Sequence, residues 1–216
     1  MIDIQMAVPD GWVSLPTAAG TDRERAATIE LVVAHAVPES LPRDRAEPWR
    51  RQLRKELSAA ADEAGEAGAR SVVLPVEEYN GFRLPGSLLL TVLEDDPEVD
   101  AEQMLSSILA DAGPRGLYLE VGGASAVRVE SSVDSRHIGR SSPSVRVVYY
   151  VSHPESPGVW GLLTFTVLTD GDVDAAPVRA VVLTFDAVVS TLRWGERGGR
   201  PHDGAARGTG GAPLIA

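Results

Sequence analysis

The stretch "LTDGDVDAAPVRAVVLTFDAVVSTLRW", Leu168–Trp194, carries the clearest structural signal in the chain. In its second half, apolar residues recur at steps of three and four, which is the period of an amphipathic helix. Burying one such side chain is worth ~1.5–3 kcal/mol. A helix of about four turns with this stripe is therefore predicted to dock on a sheet. The stripe comprises Val178, Val181, Val182, Phe185, Val188, Val189 and Leu192.

Three aspartates precede this helix at alternate positions, which is the spacing of the first ligands in a helix-loop-helix calcium site. Such a loop also needs glycine at its sixth position and glutamate at its twelfth, where this chain has Ala175 and Val181. We therefore interpret Asp170, Asp172 and Asp174 as a corner between a strand and a helix. Asp174 is predicted to be the N-cap, and neither a metal nor a cofactor is expected.

Upstream of this stretch, the pattern predicts strands in runs and not a strict alternation with helices. A first strand pair is followed by a helix with a capping box from Thr21 to Glu24, and by a second helix that begins at Pro48 and presents Trp49 on its apolar face. Asn80-Gly81 predicts a hairpin turn between two strands. The second of these strands is nearly continuously apolar, which is typical of a central strand.

Further strands are predicted at Leu117–Val133, Ser144–Val151 and Val159–Thr169, and the first of these is either one bent strand or two. Runs of strands favour the α+β class. We expect a single mostly antiparallel β-sheet packed by helices, in an α/β/α-sandwich-like arrangement. Residues 1–194 are predicted to form one globular domain, and the glycine-rich residues 195–216 a flexible C-terminal tail.

Composition excludes several classes of function. The 216 residues include no cysteine, which rules out disulfides and thiol chemistry. The formal net charge of −11 disfavours nucleic acid as a partner, because an acidic surface repels the phosphate backbone. No apolar stretch is long enough to predict a membrane span, and no secretory signal is evident. The cytoplasm is the expected compartment.

Catalytic motifs are missing from the sequence. Neither serine that resembles a nucleophile elbow satisfies G-x-S-x-G, and Gly122-Gly123 is better interpreted as a turn than as a phosphate loop. Of the four histidines, only His137 lies in a loop with several polar residues beside it in the sequence. The candidate polar interaction face, on which Arg128 and Arg146 are expected to share the outer side of a hairpin, consists of Arg128, Glu130, Arg136, His137, Arg140 and Arg146.

Both ends of the chain resemble the PsbP-like / LpqN-like family. Val8–Pro16, "VPDGWVSLP", is similar to the opening strand-turn-strand of that family, and Phe185–Trp194, "FDAVVSTLRW", is similar to its closing helix. Thr191-Leu192-Arg193 departs from the family's closing motif, which has an aromatic residue in place of Leu192. The resemblance implies an antiparallel sheet between helices and a role in binding macromolecules, since members include a Ran-binding protein and secretion chaperones. It transfers no catalytic residue.

Three hypotheses about function follow. The first is a non-enzymatic cytoplasmic adaptor that binds a protein partner through a sheet face or groove; a chaperone for a secreted protein is its narrower form. The second is a small-ligand binder or enzyme with a site around His137. The third is a homo-oligomer that associates through a sheet edge or through "VRVVYYV", residues 145–151.

Overall fold

The computed structural model of the chain describes residues 2–38, 40–78, 84–136 and 141–196, which form an α+β structure. The strands are β1 (Ile2–Gln5), β2 (Trp12–Pro16), β3 (Ala69–Pro75), β4 (Gly86–Glu94), β5 (Gly116–Val121), β6 (Ala124–Val133), β7 (Ser144–Ser152), β8 (Val159–Leu168) and β9 (Arg193–Glu196). The helices are α1 (Asp22–Ala36), α2 (Arg43–Glu66), α3 (Ala101–Ala112) and α4 (Ala176–Ser190).

Seven of the described strands form one antiparallel sheet in the order β2-β3-β4-β8-β7-β6-β5. The α+β class predicted from the sequence is confirmed. β4 lies inside the sheet as its apolar run predicts, although Leu93 near its end is exposed. β7 contains the "VRVVYYV" segment and pairs with both β6 and β8. Because an interior strand has no unpaired edge, this segment cannot join two copies by strand pairing, and the hypothesis that it forms a contact between copies stays a prediction.

α4 packs its apolar stripe on one face of the sheet, as its periodicity predicts. All seven residues of the stripe are buried, and Phe185 is fully buried. The ring of Phe185 stacks on that of Phe165 at 4.9 Å between centroids and meets the edge of Trp12 at 5.0 Å. α4 therefore joins the centre of the sheet to its β2 edge.

The other three helices cover the opposite face. Val72 packs with Leu15 and α1–α2, whereas its neighbour Val73 belongs to the core under α4. In the same way Val127 packs against α3, while Ala126 faces α4. Because successive side chains of a strand point to opposite faces, this alternation places α4 on one side and the other helices on the second. The structure has the predicted sandwich layering.

β1 and β9 bring the two ends of the described chain together. They form a separate two-stranded antiparallel sheet, so β1 does not pair with β2 as the expected opening strand pair required. Ile4 and Trp194 pack over Gly161 of β8, where a Cβ atom would come within 2.5 Å of Ile4 Cδ1 and 3.2 Å of Trp194 Cη2. β9 ends at Glu196 and so includes the first two residues of the predicted tail, whereas residues 197–216 lie outside the described part of the chain.

A two-residue turn between β5 and β6 divides Leu117–Val133, which the sequence left as either one bent strand or two. Gly122 and Gly123 both have positive φ values, of 62° and 78°, as a tight hairpin of this kind requires. The segment is therefore two strands, with Leu119 opposite Ala126. The predicted turn at Asn80-Gly81 lies outside the described residues, but β3 and β4 on either side of it pair as expected.

One of the predicted N-caps is present in the structure, and two are not. Asp100 caps α3 as expected, because its Oδ1 accepts from the backbone N–H groups of Glu102 (2.9 Å) and Gln103 (3.3 Å). The predicted capping box at Thr21 is wrong, since the Thr21 hydroxyl donates to the carbonyl of Ala18 at 2.6 Å. α4 is preceded by Ala175, so Asp174 is not its N-cap.

α2 begins five residues before Pro48, at Arg43, and leaves Trp49 exposed on its surface. The predicted start of α2 and the predicted place of Trp49 on its apolar face are therefore both wrong. Among the described residues, no helix combines the length and the apolar character that crossing a bilayer requires.

Candidate functional site

The polar face predicted from the sequence is divided between the two sides of the sheet. Arg128 lies opposite Tyr149 on the face that α4 covers, whereas Arg146 lies opposite Ser131. Positions 128 and 131 differ by three, an odd number, so Ser131 and its partner Arg146 project from the other face of the sheet. The expectation that Arg128 and Arg146 share one outer face is therefore wrong.

Arg128 and Glu130 form a cluster of ion pairs with α4, called the Arg128 cluster below. Arg128 donates to both carboxylate oxygens of Asp186 at 3.0 Å and to Oε2 of Glu130 at 2.9 Å. Arg179 of α4 donates to both oxygens of the same glutamate, at 3.2 Å for the Nη2–Oε2 pair, and the Tyr149 hydroxyl donates to Asp186 Oδ1 at 2.7 Å. Two positive and two negative side chains thus neutralise one another between the sheet and α4.

The electrostatics of this cluster keep Arg128, Arg179, Glu130 and Tyr149 in their ordinary ionisation states at neutral pH. Burial lowers the pKa of Arg128, but the hydrogen bonds and charges of Asp186 and Glu130 outweigh burial and raise it. The hydrogen bond from Arg179 lowers the pKa of Glu130 against the opposite effect of burial. Burial, together with Asp186, raises the pKa of the Tyr149 hydroxyl. The cluster therefore holds α4 on the sheet, and these four side chains are not poised to exchange protons near neutral pH.

Arg136, another residue of the predicted face, does not join this cluster. Arg136 is exposed and pairs with Asp134, with a distance of 2.7 Å from its Nε to the carboxylate. His137 and Arg140 lie outside the described residues, so a site assembled around His137 stays a prediction.

His153 has a structural part in the loop between β7 and β8. Its Nδ1 accepts from the backbone N–H groups of Glu155 (3.1 Å) and Ser156 (2.9 Å), and its ring lies 4.7 Å from that of Trp194. Burial lowers the pKa of His153, and the charge of Glu155 only partly opposes that effect. The imidazole is thus held neutral as a hydrogen-bond acceptor for the turn.

The aspartates before α4 form the predicted corner. Asp172 accepts from the backbone N–H of Asp174 at 2.9 Å, and Gly171 turns the chain with a φ of 127°. Within residues 2–38, 40–78, 84–136 and 141–196, no three acidic or histidine side chains are grouped in a way that holds a metal ion.

The surface has an open cleft beside the Arg128 cluster. Its volume is about 480 Å³, and Leu117, Val145 and Val173 line it together with Arg128 and Glu130. Arg128 and Glu130 are already bonded to Asp186 and Arg179 of α4. Arg115, Asp174 and the two serines Ser131 and Ser132 also line the cleft, so its wall is largely polar.

A second concavity lies on the opposite face of the sheet, between α3 and β8, and is called the apolar slot below. Met104 and Ile108 of α3 form one wall, and Tyr150, Trp160, Gly161 and Leu162 form the other. Its volume is about 310 Å³. Leu93, at the rim, is 44% exposed. The slot is therefore apolar surface that the fold leaves uncovered.

The rim of the apolar slot carries the carboxylates of Glu94 and Asp95. Three more acidic residues, Asp96, Glu98 and Asp100, follow in the connection to α3, where Glu98 and Asp100 line a separate concavity with His153. None of these five carboxylates forms an ion pair with a basic side chain in the described part of the chain. α3, β4 and β8 contain no lysine, arginine or histidine. The slot thus combines an apolar floor with an uncompensated negative edge.

No protein-family model and no curated protein matches the sequence of this chain. Its structure is similar to that of LpqN, a Mycobacterium tuberculosis protein involved in cell envelope biogenesis. The two are 15% identical with a TM-score of 0.46, over 90% of this chain and 84% of LpqN. It is also similar to the Ran-binding protein Mog1p of Saccharomyces cerevisiae, with 13% identity and a TM-score of 0.43, over 88% of this chain and 89% of Mog1p.

These similarities concern the fold alone. Both neighbours are proteins of the kind that the resemblance of the chain termini suggested. At these identities and TM-scores, however, neither carries an argument about family or function. Membership of the PsbP-like / LpqN-like family stays a prediction.

Sequence reasoning missed three members of the Arg128 cluster, namely Tyr149, Arg179 and Asp186. One signal was present, because Asp186 is the only charged residue between Val181 and Val189. A carboxylate within an apolar helical stripe is rarely buried without a partner. Its partner Arg128 is 58 residues distant in the chain, so spacing alone could not identify it.

Proposed function

We propose that the protein is a non-enzymatic binding protein that presents the apolar slot to a protein partner. The observation that carries this proposal is an apolar concavity left open on the surface, with Leu93 exposed at its rim. Exposed apolar surface rimmed by polar groups is typical of sites of protein interaction. The commitment of the Arg128 cluster to internal ion pairs supports a role other than catalysis.

The size of the slot supports a protein partner over a cofactor. Ligand pockets for small molecules usually span ~300–1,000 Å³, so a slot of about 310 Å³ lies at the lower limit of that range. A space of this size suits one or two apolar anchor side chains, which supply most of the binding energy at protein interfaces. A cytoplasmic adaptor, or in a narrower form a chaperone for a secreted protein, is the proposed context.

Site-specific photo-crosslinking tests this proposal. A photoreactive amino acid replaces Met104 in the slot or Leu183 on α4, which is 64% exposed on the opposite side of the sheet. We expect the Met104 position to give a discrete adduct with one protein in native lysate. We expect no such adduct from the Leu183 position.

A matched pair of substitutions shows whether the captured protein uses the slot. In the Met104 background, Leu93→Asp is expected to abolish the adduct, because it places a charge at the rim of an apolar surface. Leu183→Asp is expected to leave the adduct unchanged. An adduct that survives Leu93→Asp, or that forms equally from the Leu183 position, would refute the proposed site.

A further inference from the structure

We propose that β5, at one edge of the large sheet, pairs with β5 of a second copy of the chain. The pairing is antiparallel and centred on Leu119, so the two sheets join across a two-fold axis. This inference goes beyond the proposed function and does not depend on it, because β5 contributes no residue to the apolar slot.

β5 is an open edge strand. Among the described residues it pairs with β6 and with no other strand. Leu117 lies opposite Arg128, on the face that α4 covers elsewhere, and is 57% exposed. Tyr118, on the face of α3, is 44% exposed. Because both faces of the strand are accessible, neither helix covers this edge.

β5 also lacks the features that usually protect a sheet edge from other chains. Its sequence, "GLYLEV", contains no proline, lysine or arginine, and its pairing with β6 has no bulge. At the opposite edge of the sheet, β2 ends at Pro16, whose carbonyl accepts from Arg25 Nε at 3.2 Å. The β5 edge is therefore the better template for pairing with another strand.

The hairpin with β6 fixes which backbone groups of β5 are free. A two-residue turn closes on a hydrogen-bonded pair, here Val121 with Ala124, and pairs with and without hydrogen bonds then alternate along the strands. Tyr118 and Glu120 belong to the second kind, so their N–H and C=O groups point away from β6. In the described part of the chain, these groups have no backbone partner.

A second copy of β5 matches the free backbone groups and the side chains together. With Leu119 on the two-fold axis, Tyr118 lies opposite Glu120 of the second copy, and the two residues exchange both hydrogen bonds. On the other face, Leu119 lies opposite Leu119 of the second copy, and Leu117 opposite Val121. Apolar side chains therefore face apolar side chains, and no two like charges lie directly opposite each other.

The neighbouring two-fold registers are less favourable. Centring the pair on Glu120 would place this carboxylate directly opposite that of the second copy. Centring it on Tyr118 would require the N–H of Gly116, which already donates to the carbonyl of Gly113. The register centred on Leu119 avoids both costs.

The interface is small, so the dimer is expected to be weak. One strand from each copy supplies the contacts, and interfaces below ~1,200 Å² are typical of transient association. The formal net charge of −11 on each copy adds a repulsion that salt screens. We expect a Kd on the order of 10–100 μM in about 0.5 M NaCl.

Disulfide trapping tests the pairing, because the chain has no native cysteine and a single introduced cysteine can bond only to another copy. In a non-hydrogen-bonded antiparallel pair, the Cα atoms lie about 4.5 Å apart, which a disulfide can span. Leu119→Cys is therefore expected to form a covalent dimer at least ~10-fold faster than Leu183→Cys. Leu183 is 64% exposed whereas Leu119 is partly buried, so accessibility alone favours the control.

Tyr118→Cys tests the register. In the proposed pairing, residue 118 lies diagonally from residue 118 of the second copy, at about 7–8 Å, which exceeds the usual span of a disulfide. We therefore expect Tyr118→Cys to form the covalent dimer more slowly than Leu119→Cys.

Glu120→Pro and Glu120→Ala separate the backbone contribution from that of the side chain. Proline removes the N–H that points away from β6 and leaves the pairing with β6 intact, whereas alanine keeps that N–H. Sedimentation velocity should show a dimer Kd at least ~10-fold higher for Glu120→Pro than for Glu120→Ala. If Glu120→Pro fails to fold, Leu117→Lys at an exposed position should weaken the dimer instead.

Three outcomes would overturn the inference. The first is an unmodified chain that stays monomeric at about 0.5 mM, well above the expected Kd. The second is a Leu119→Cys variant that is trapped no faster than Leu183→Cys, and the third is a Tyr118→Cys variant that is trapped as fast as Leu119→Cys. Because these assays contain no other protein, none of the three results bears on the photo-crosslinking test of the proposed function.

Discussion

Asp186 connects α4 to two strands of the sheet through hydrogen bonds. It receives hydrogen bonds from Arg128 and Tyr149, which lie opposite each other on β6 and β7. The side chains of Arg128 and Asp186 are 14% and 23% exposed, so solvent screens this pair less than it screens ordinary surface pairs. Removing the carboxylate leaves a half-buried guanidinium with only Glu130 to neutralise it.

We therefore expect Asp186→Asn to lower the free energy of unfolding by about 2–4 kcal/mol, measured by urea denaturation. Asp62→Asn removes a partner of Arg25 at a carboxylate that is 63% exposed, and should cost less than about 1 kcal/mol. Combining Arg128→Met with Asp186→Leu should recover most of the loss, because no unpaired charge then remains. Equal losses in the free energy of unfolding for Asp186→Asn and Asp62→Asn would show that the Arg128 cluster does not stabilise the packing of α4 on the sheet.

His153 predicts a pH dependence of stability with a definite sign. Folding lowers the pKa of this imidazole below its ordinary value of 6.5, so the folded state favours the neutral form. Its contribution to stability is present above pH 6.5 and is lost as the pH falls through the lowered pKa.

His153→Asn keeps an acceptor for the turn but does not titrate. Between pH 7.5 and pH 5, the Tm of the unmodified chain should therefore fall further than that of this variant, as followed by circular dichroism. If the Tm of both proteins falls by the same amount over this pH range, His153 is not the source of the pH dependence.

At the scale of elements, the burial of α4 decides the layering of the molecule. The apolar stripe of α4 contacts both the centre and one edge of the sheet, because Phe185 contacts Phe165 of β8 and Trp12 of β2. Gly86 also permits this packing, since a Cβ atom there would lie 2.9 Å from Phe185 Cε2. One aromatic side chain thus bridges strands from distant parts of the sheet.

Phe185→Ala is accordingly expected to cost about 3–5 kcal/mol, because it removes a fully buried ring and leaves a cavity that rigid strands cannot fill. Leu183→Ala, on the exposed side of the same helix, should change stability by less than about 0.5 kcal/mol. Chemical denaturation of both variants measures the difference. A small effect at Phe185 would mean that α4 is not firmly docked.

At the scale of the whole molecule, stability should be greatest at the centre of the sheet and least where the chain ends meet. β7 and β8 are flanked by strands on both sides, and Val147, Val151, Leu163 and Phe165 are fully buried in them. β1 and β9 form only a two-stranded sheet, which is a marginal structure by itself.

Hydrogen exchange measured by mass spectrometry should therefore show the slowest amide exchange in β7 and β8 and much faster exchange in β1 and β9. Ile4 and Trp194 should slow the exchange of this pair only partly, through their packing on Gly161. Exchange of β1 and β9 as slow as that of β8 would instead make the terminal pair an integral part of the core.

The sequence by itself determined the features whose physical cause is local. The stripe on α4, the Asp100 cap and the two-glycine turn each depend on residues within a few positions, and the structure has all three. Runs of strands likewise predicted the antiparallel α+β class, because antiparallel neighbours need only short connections.

Only the tertiary structure decided how these elements meet. The register of β6 against β7 separates Arg128 from Arg146, and a shift of one residue would have reversed the result. The pairing of β1 with β9 and the contact of Arg128 with Asp186 join residues that are far apart in the chain. The apolar slot exists because α3 leaves part of the sheet face uncovered, and local periodicity carries no information about where a neighbouring helix ends.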